Sequence, residues 1–186
     1  IANRGEIAIR LARAIADCDA TSVAVYAEDD AQSLHVRSAD QAVALQGQGV
    51  AAYLDAAQLI RIAKEQDCNA IHPGYGFLSE NADFARACQP AGITFIGPAP
   101  EVLATFGDKA SARRLAQQQG VPLTQGTNEP TTLEQARDFM QSLGEDAAVM
   151  LKALAGGGGR GMRAVHNLAE LDDAFARCSS EATAAF

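Results

Sequence analysis

The chain has 186 residues, 48% of them hydrophobic and 20% charged, with no tryptophan, a profile suited to a water-exposed α/β protein with a sizeable core. A net charge of −8 argues against a nucleic-acid binder but leaves room for small anions held by local positive charge. No apolar run reaches the length of a membrane span, no signal-peptide pattern is present, and Cys18, Cys68, Cys88 and Cys178 form no C-x-x-C pair, so reduced thiols, no metal site and a cytoplasmic chain are expected.

In chain order, Ile1 to Gly5 reads as the tail of a strand entering a turn, and Glu6 to Asp17 as an amphipathic helix with Ile7, Ile9, Leu11 and Ile15 among alanines. A strand, a glycine turn and a helix start can bind anions. A plain βα turn explains Arg4 equally well. Arg10 and Arg13, three apart on the helix, suit solvent or a subunit contact. Thr21–Tyr26 is a β-branched strand closed by Glu28-Asp29-Asp30, and Gln41–Leu45 a weaker strand. Asp55–Gln66 reads as a helix, with Leu59, Ile60 and Ala63 on one side, and Asn69–Ile71 as a short strand. The stretch His72-Pro73-Gly74-Tyr75-Gly76-Phe77-Leu78-Ser79-Glu80-Asn81 follows, with Asn81 set to cap the helix Ala82–Gln89. Gly92–Pro98 is the next strand. Strands alternating with helices in this way predict βαβ units and a parallel sheet, with ligands at the carboxyl ends of the strands.

The His72–Asn81 loop stands at such an end. It displays an imidazole, a phenol and a carboxylate on a stiff turn. Taken singly, His72 also fits a hydrogen-bonded core histidine, Tyr75 a packing residue and Glu80 a charge near a helix start. Asp108 is the expected cap of a helix through Gln119. Lys109, at its first turn, opposes the helix dipole, which suits either an anionic ligand or an inert exposed side chain. Thr131 to Gly144 holds a further helix with Leu133, Ala136, Phe139, Met140 and Leu143 on its apolar face. From Pro122 onward the pattern is that of a small α+β unit.

The most informative stretch is Ala148–Lys152, then Gly156-Gly157-Gly158-Gly159-Arg160-Gly161, then Met162–Val165, followed by a helix that Asn167 caps. Five glycines in six positions strip the backbone of nearly every Cβ, so its N–H groups can turn toward a ligand. Lys152 and Arg160 add positive charge, and phosphate is the first candidate. The G-x-G-x-x-G spacing of Gly156, Gly158 and Gly161 is not a dinucleotide fingerprint, because no helix follows. Met162-Arg163 stands where a P-loop carries Lys-Ser or Lys-Thr. What remains is a glycine hairpin between antiparallel strands.

Three stretches coincide: Ile1-Ala2-Asn3-Arg4-Gly5-Glu6-Ile7-Ala8, the His72–Asn81 loop, and Lys152 with its hairpin. Together with Gly107-Asp108-Lys109 they resemble the biotin carboxylases of the ATP-grasp superfamily, over the whole chain. Carbamoyl-phosphate synthases have a related layout but a different counterpart of the His72–Asn81 loop. The resemblance implies an α/β fold: a Rossmann-like, pre-ATP-grasp domain over 1–100, a helical linker over 101–123, and an incomplete ATP-grasp small subdomain over 124–186.

The resemblance also implies ATP-dependent carboxylation of carrier-bound biotin with bicarbonate, through carboxyphosphate. Lys109, Lys152 and Met162 match nucleotide-binding positions, and Gly156, Gly157, Gly158, Gly159 and Gly161 match a lid over the phosphates. His72, Tyr75 and Glu80 match the bicarbonate and biotin side, while Arg10 and Arg13 match a dimer contact. The magnesium-holding glutamates, the general base and the arginine that stabilises the biotin enolate are expected beyond Phe186. The chain is therefore expected to be an inactive piece of a longer acyl-CoA, pyruvate or urea carboxylase. Its partners would be a biotin carboxyl carrier domain, a carboxyltransferase domain or subunit and a second copy, with no nucleic acid or membrane. An ATP-grasp ligase acting on another acid and a non-catalytic nucleotide-binding module are the competing expectations.

Overall fold

A computed structural model describes residues 1–127, 129–144, 147–153 and 161–185, with only the backbone of 182–185. The chain divides into two compact units, Ile1–Gly107 and Asp108–Phe186. The first contains helices α1 (Gly5–Asp17), α2 (Gly49–Tyr53), α3 (Ala56–Glu65), α4 (Ala82–Cys88) and α5 (Pro100–Gly107). Its strands are β1 (Val23–Tyr26), β2 (Gln41–Ala44), β3 (Ala70–Ile71) and β4 (Thr94–Phe95).

The strands pair in parallel, β1 with β2 from Val23↔Gln41 to Tyr26↔Ala44, and β3 with β4 through Ala70↔Thr94 and Ile71↔Phe95. Residues 1–2 join the two pairs. The Ile1 nitrogen donates to the Val23 carbonyl at 2.7 Å, and the Ala2 N–H donates to the His72 carbonyl at 2.9 Å. The expected strand at Ile1–Gly5 is extended chain without strand pairing, and Asn3 emerges from it beside His72, which leaves the carboxyl end of β3 and positions the first candidate loop.

Local chemistry starts the helices where the sequence places them. Asp55 accepts the Gln58 N–H at the head of α3, and Asn81 accepts that of Phe84 at the head of α4; each such cap contributes about 1 kcal/mol. The core gathers Leu45, Tyr53, Leu59, Ile62, Ile71, Phe84 and Ile93. Phe84 meets Phe95 edge-on at 5.8 Å, and truncating a buried ring of this kind costs about 3–5 kcal/mol. In α1 the buried seam is Ala8 and Ala12 rather than the larger isoleucines, because small side chains let the helix lie close to its neighbours. The expected strand over Gly92–Pro98 pairs only at Thr94 and Phe95. Helix α2 has no counterpart in the sequence reading.

The second unit contains α6 (Lys109–Gln118), α7 (Leu133–Ser142), the antiparallel strands β5 (Val149–Lys152) and β6 (Met162–Val165), and α8 (Leu171–Ala185). Asp108 caps α6 by accepting the Ala110 and Ser111 N–H groups. Thr132 and Gln135 form a reciprocal capping box at the head of α7, and Asn167 accepts the Glu170 N–H before α8. The inward residues Val149, Leu151 and Val165 pack with Ala136, Met140 and Leu171. No helix among the described residues is long and apolar enough to cross a membrane.

Candidate functional site

In the first unit the His72–Asn81 loop is held by a buried asparagine. The Asn3 amide nitrogen donates to the carbonyls of Pro73 at 2.7 Å and Tyr75 at 3.0 Å. Gly74 lies between them at φ +69°, a left-handed conformation that glycine adopts without strain. Its N–H donates to His72 Nδ1 at 3.0 Å, so that nitrogen carries a lone pair and the neutral ring keeps its proton on Nε2. Burial holds the His72 pKa below its ordinary value.

Tyr75 is 62% exposed, and its hydroxyl donates to the Glu6 carboxylate on α1. That bond raises the phenol pKa, with Arg10 opposing it. Glu80 is exposed just before the Asn81 cap, and Arg10 and Arg13 are exposed on α1. The structure therefore brings Tyr75 to the helix that carries Arg10 and Arg13.

Behind the loop lies a polar cluster that the sequence reading did not single out. Arg4 Nη1 pairs with Asp30 Oδ2 at 3.0 Å, and the same oxygen accepts the Tyr53 hydroxyl at 2.7 Å. The Tyr53 oxygen in turn accepts the Ala27 N–H at 3.0 Å. Tyr53 stacks on Phe77 with ring centres 5.4 Å apart, and the Arg4 guanidinium stands over both rings. Burial works to raise the Asp30 pKa, but hydrogen bonds from Tyr53 and Arg4 bring it below the usual carboxylate range. His35, 1% exposed, bonds the Val25 carbonyl through Nε2, and burial lowers its pKa. Asp30 read in sequence only as part of an acidic turn; its partners lie 26 and 23 residues away.

In the second unit the paired strands place Lys152 directly opposite Met162 and Met150 opposite Ala164. All four side chains are on the hairpin's exposed face, with Met150 51% and Met162 42% accessible. Beyond the last pair, the Ala153 N–H donates to the Gly161 carbonyl at 2.8 Å and closes the hairpin neck. The buried Cys178 thiol donates to the same carbonyl at 2.8 Å. Gly161 sits at φ +69°, and a Cβ there would come within 2.9 Å of the Ala153 Cβ, so this position demands glycine. Lys109 Nζ, exposed at the start of α6, donates to the Ala153 carbonyl at 3.4 Å.

Lys109, Lys152, Gly161 and Met162 thus gather around one neck. Gly156, Gly157, Gly158 and Gly159 lie outside the described residues, as does Arg160. Among the described residues no three His, Cys, Asp or Glu side chains assemble as metal ligands, and the four cysteines are free thiols. Two ammonium groups beside a thioether suit a phosphate-bearing ligand with an apolar end.

Parallel strand pairs, a loop clamped at their carboxyl edge and an antiparallel hairpin carrying Lys152 give the α/β layout that the resemblance to the ATP-grasp carboxylases implies. The chain belongs to the biotin carboxylase family, residues 1–103 matching the model of the biotin carboxylase N-terminal domain. Residues 108–186 match the ATP-binding domain of the carbamoyl-phosphate synthase L chain.

Human mitochondrial pyruvate carboxylase is 50% identical over the whole chain, which spans 16% of that protein's length. The biotin carboxylase domain dimer of Hydrogenobacter thermophilus 2-oxoglutarate carboxylase, in complex with MgADP, ADP and bicarbonate, is 41% identical. It superposes with a TM-score of 0.91 over all of this chain and 41% of its own. A complex of Campylobacter jejuni biotin carboxylase with β,γ-ATP is 38% identical, with a TM-score of 0.93 over all of this chain and 42% of that one.

Proposed function

We propose that this chain is part of an enzyme that carboxylates biotin on a carrier protein, using ATP and bicarbonate, within a larger acyl-CoA, pyruvate or urea carboxylase. The observation that carries this is the exposed hairpin face that pairs Lys152 with Met162 at a neck where Lys109 also arrives. A nucleotide suits that face: the base against the thioethers, the phosphates against the ammonium groups.

In this reading, phosphoryl transfer from ATP to bicarbonate gives ADP and carboxyphosphate. Carboxyphosphate then releases carbon dioxide and phosphate, and the deprotonated ureido nitrogen of biotin takes the carbon dioxide. Lys109 and Lys152 neutralise charge on the transferring phosphoryl group. The Gly156–Gly161 backbone offers N–H donors and closes to exclude water from the short-lived intermediate. His72, Tyr75 and Glu80 face bicarbonate and biotin, and Arg10 and Arg13 contact a second copy. Among the described residues no cluster of carboxylates is placed to hold a metal ion.

The match of residues 108–186 to a carbamoyl-phosphate synthase domain supports a second reading, an ATP-grasp ligase acting on another acid. The test follows ADP release by the full-length protein with MgATP and bicarbonate, with and without free biotin. We expect biotin to stimulate release and Lys152→Ala to lower kcat/KM for ATP about 100-fold or more. Release that ignores biotin but responds to ammonia would establish the second reading. No release would leave a nucleotide-binding module.

A further inference from the structure

We infer that Asn3 is a positioning residue for the loop that faces bicarbonate and biotin, an inference that rests on the function proposed above. Its side chain is 1% exposed and fully engaged. The amide oxygen accepts the Arg4 N–H at 2.8 Å, while the amide nitrogen donates to two carbonyls some 70 residues away, those of Pro73 and Tyr75. A donor on one side and two acceptors on the other leave the amide one orientation.

The clamp is matched from the loop side. A Cβ on Gly74 would fall 2.6 Å from Ile7 Cγ2 and 2.9 Å from Asn3 Nδ2. Gly74, seated there, gives its N–H to His72 Nδ1 and so sets the tautomer that His72 presents. Asn3 therefore fixes the backbone on both sides of Gly74, and through it the direction in which His72 and Tyr75 leave the loop. An apolar side chain of similar size would fill the space but leave both carbonyls without their donor.

The consequence is selective. Asn3 acts on the loop in the first unit and makes none of the hydrogen bonds of the Lys152 hairpin. In the full-length protein, Asn3→Asp keeps the shape and the acceptor for Arg4 but turns a carboxylate oxygen toward two carbonyls. We expect the KM for free biotin to rise about tenfold or more, as misplaced binding groups commonly cause, while the KM for ATP stays within about twofold. Gly74→Ala, which displaces the same clamp from the other side, should reproduce that split and serves where Asn3→Asp does not fold.

An equal fall in kcat/KM for ATP and biotin, or no change for either, would overturn the inference. Wild-type protein without biotin-stimulated ADP release would instead remove the carboxylase reading. Wild-type protein with that activity, but variants without the split, would remove this inference alone.

Discussion

The His72–Asn81 loop and the glycine hairpin are both glycine-bearing turns with candidate ligand residues, yet the chain secures them by different means. The loop is fixed from behind. A buried amide holds its carbonyls, and an Arg4–Asp30–Tyr53 cluster with Phe77 stacked on Tyr53 supports it. The hairpin is fixed at its neck, where one carbonyl, that of Gly161, takes both the Ala153 N–H and the Cys178 thiol. Its Lys152 stands exposed on the face opposite a small core of Ala136, Met140, Val165 and Leu171. A loop that orients small reactants gains from rigidity in advance. On the function proposed above the hairpin admits and releases a nucleotide, which anchoring at its ends allows.

The largest effect should come from breaking the support behind the loop. Asp30→Ala leaves the Arg4 guanidinium and the Tyr53 hydroxyl without their shared acceptor. Groups so orphaned typically destabilise a fold by about 2–4 kcal/mol. Native-state hydrogen exchange in the full-length protein should show it as faster exchange at Ala27, whose N–H bonds Tyr53. Unchanged exchange there would mean that the cluster contributes no stability.

Asp30→Asn gives a gentler version with a pH signature. Because the folded pKa of Asp30 lies below the ordinary value, its stabilisation is present above about pH 4 and is lost as pH falls through the folded pKa. The wild type should therefore lose protection at β1 on acidification more steeply than Asp30→Asn does.

How much of this could be read beforehand depended on distance along the chain. Caps and helix faces are local, and Asn81, Asp108 and Asn167 act where the sequence placed them. The hairpin was legible because a strand, five glycines and a second strand are contiguous. Asn3 with Pro73 and Tyr75, and Arg4 and Tyr53 with Asp30, are pairings between residues more than 20 positions apart, which no local pattern marks. Helix α2, which delivers Tyr53, starts at Gly49 and is five residues long, too short for helical periodicity to mark it. The strands β3 and β4 are two residues each, too short for alternation to mark their limits.

A smaller effect is expected at the hairpin neck. Gly161→Ala must hold an L side chain at φ +69° while its Cβ presses on that of Ala153, a strain of about 1–3 kcal/mol. The hydrogen bond from the Ala153 N–H to the Gly161 carbonyl should then open more often, which exchange at the Ala153 amide reports directly. Exchange at Ala27, in the other unit, should not change. If it did, the two anchoring systems would not be independent.

Removing the second donor at that carbonyl should matter least. Cys178→Ala deletes a thiol hydrogen bond and a buried sulfur, while the Ala153 N–H still satisfies the oxygen. A loss of about 1 kcal/mol at the Ala153 amide is the expected size for one neutral hydrogen bond with its packing. Cys178→Ser retains a donor in nearly the same place and should restore part of that protection. Full protection in Cys178→Ala would show that the thiol adds nothing to the backbone bond at the neck. The contrast with the loop would then sharpen: two side-chain hydrogen bonds from one buried asparagine hold the loop, against a backbone bond that closes the neck.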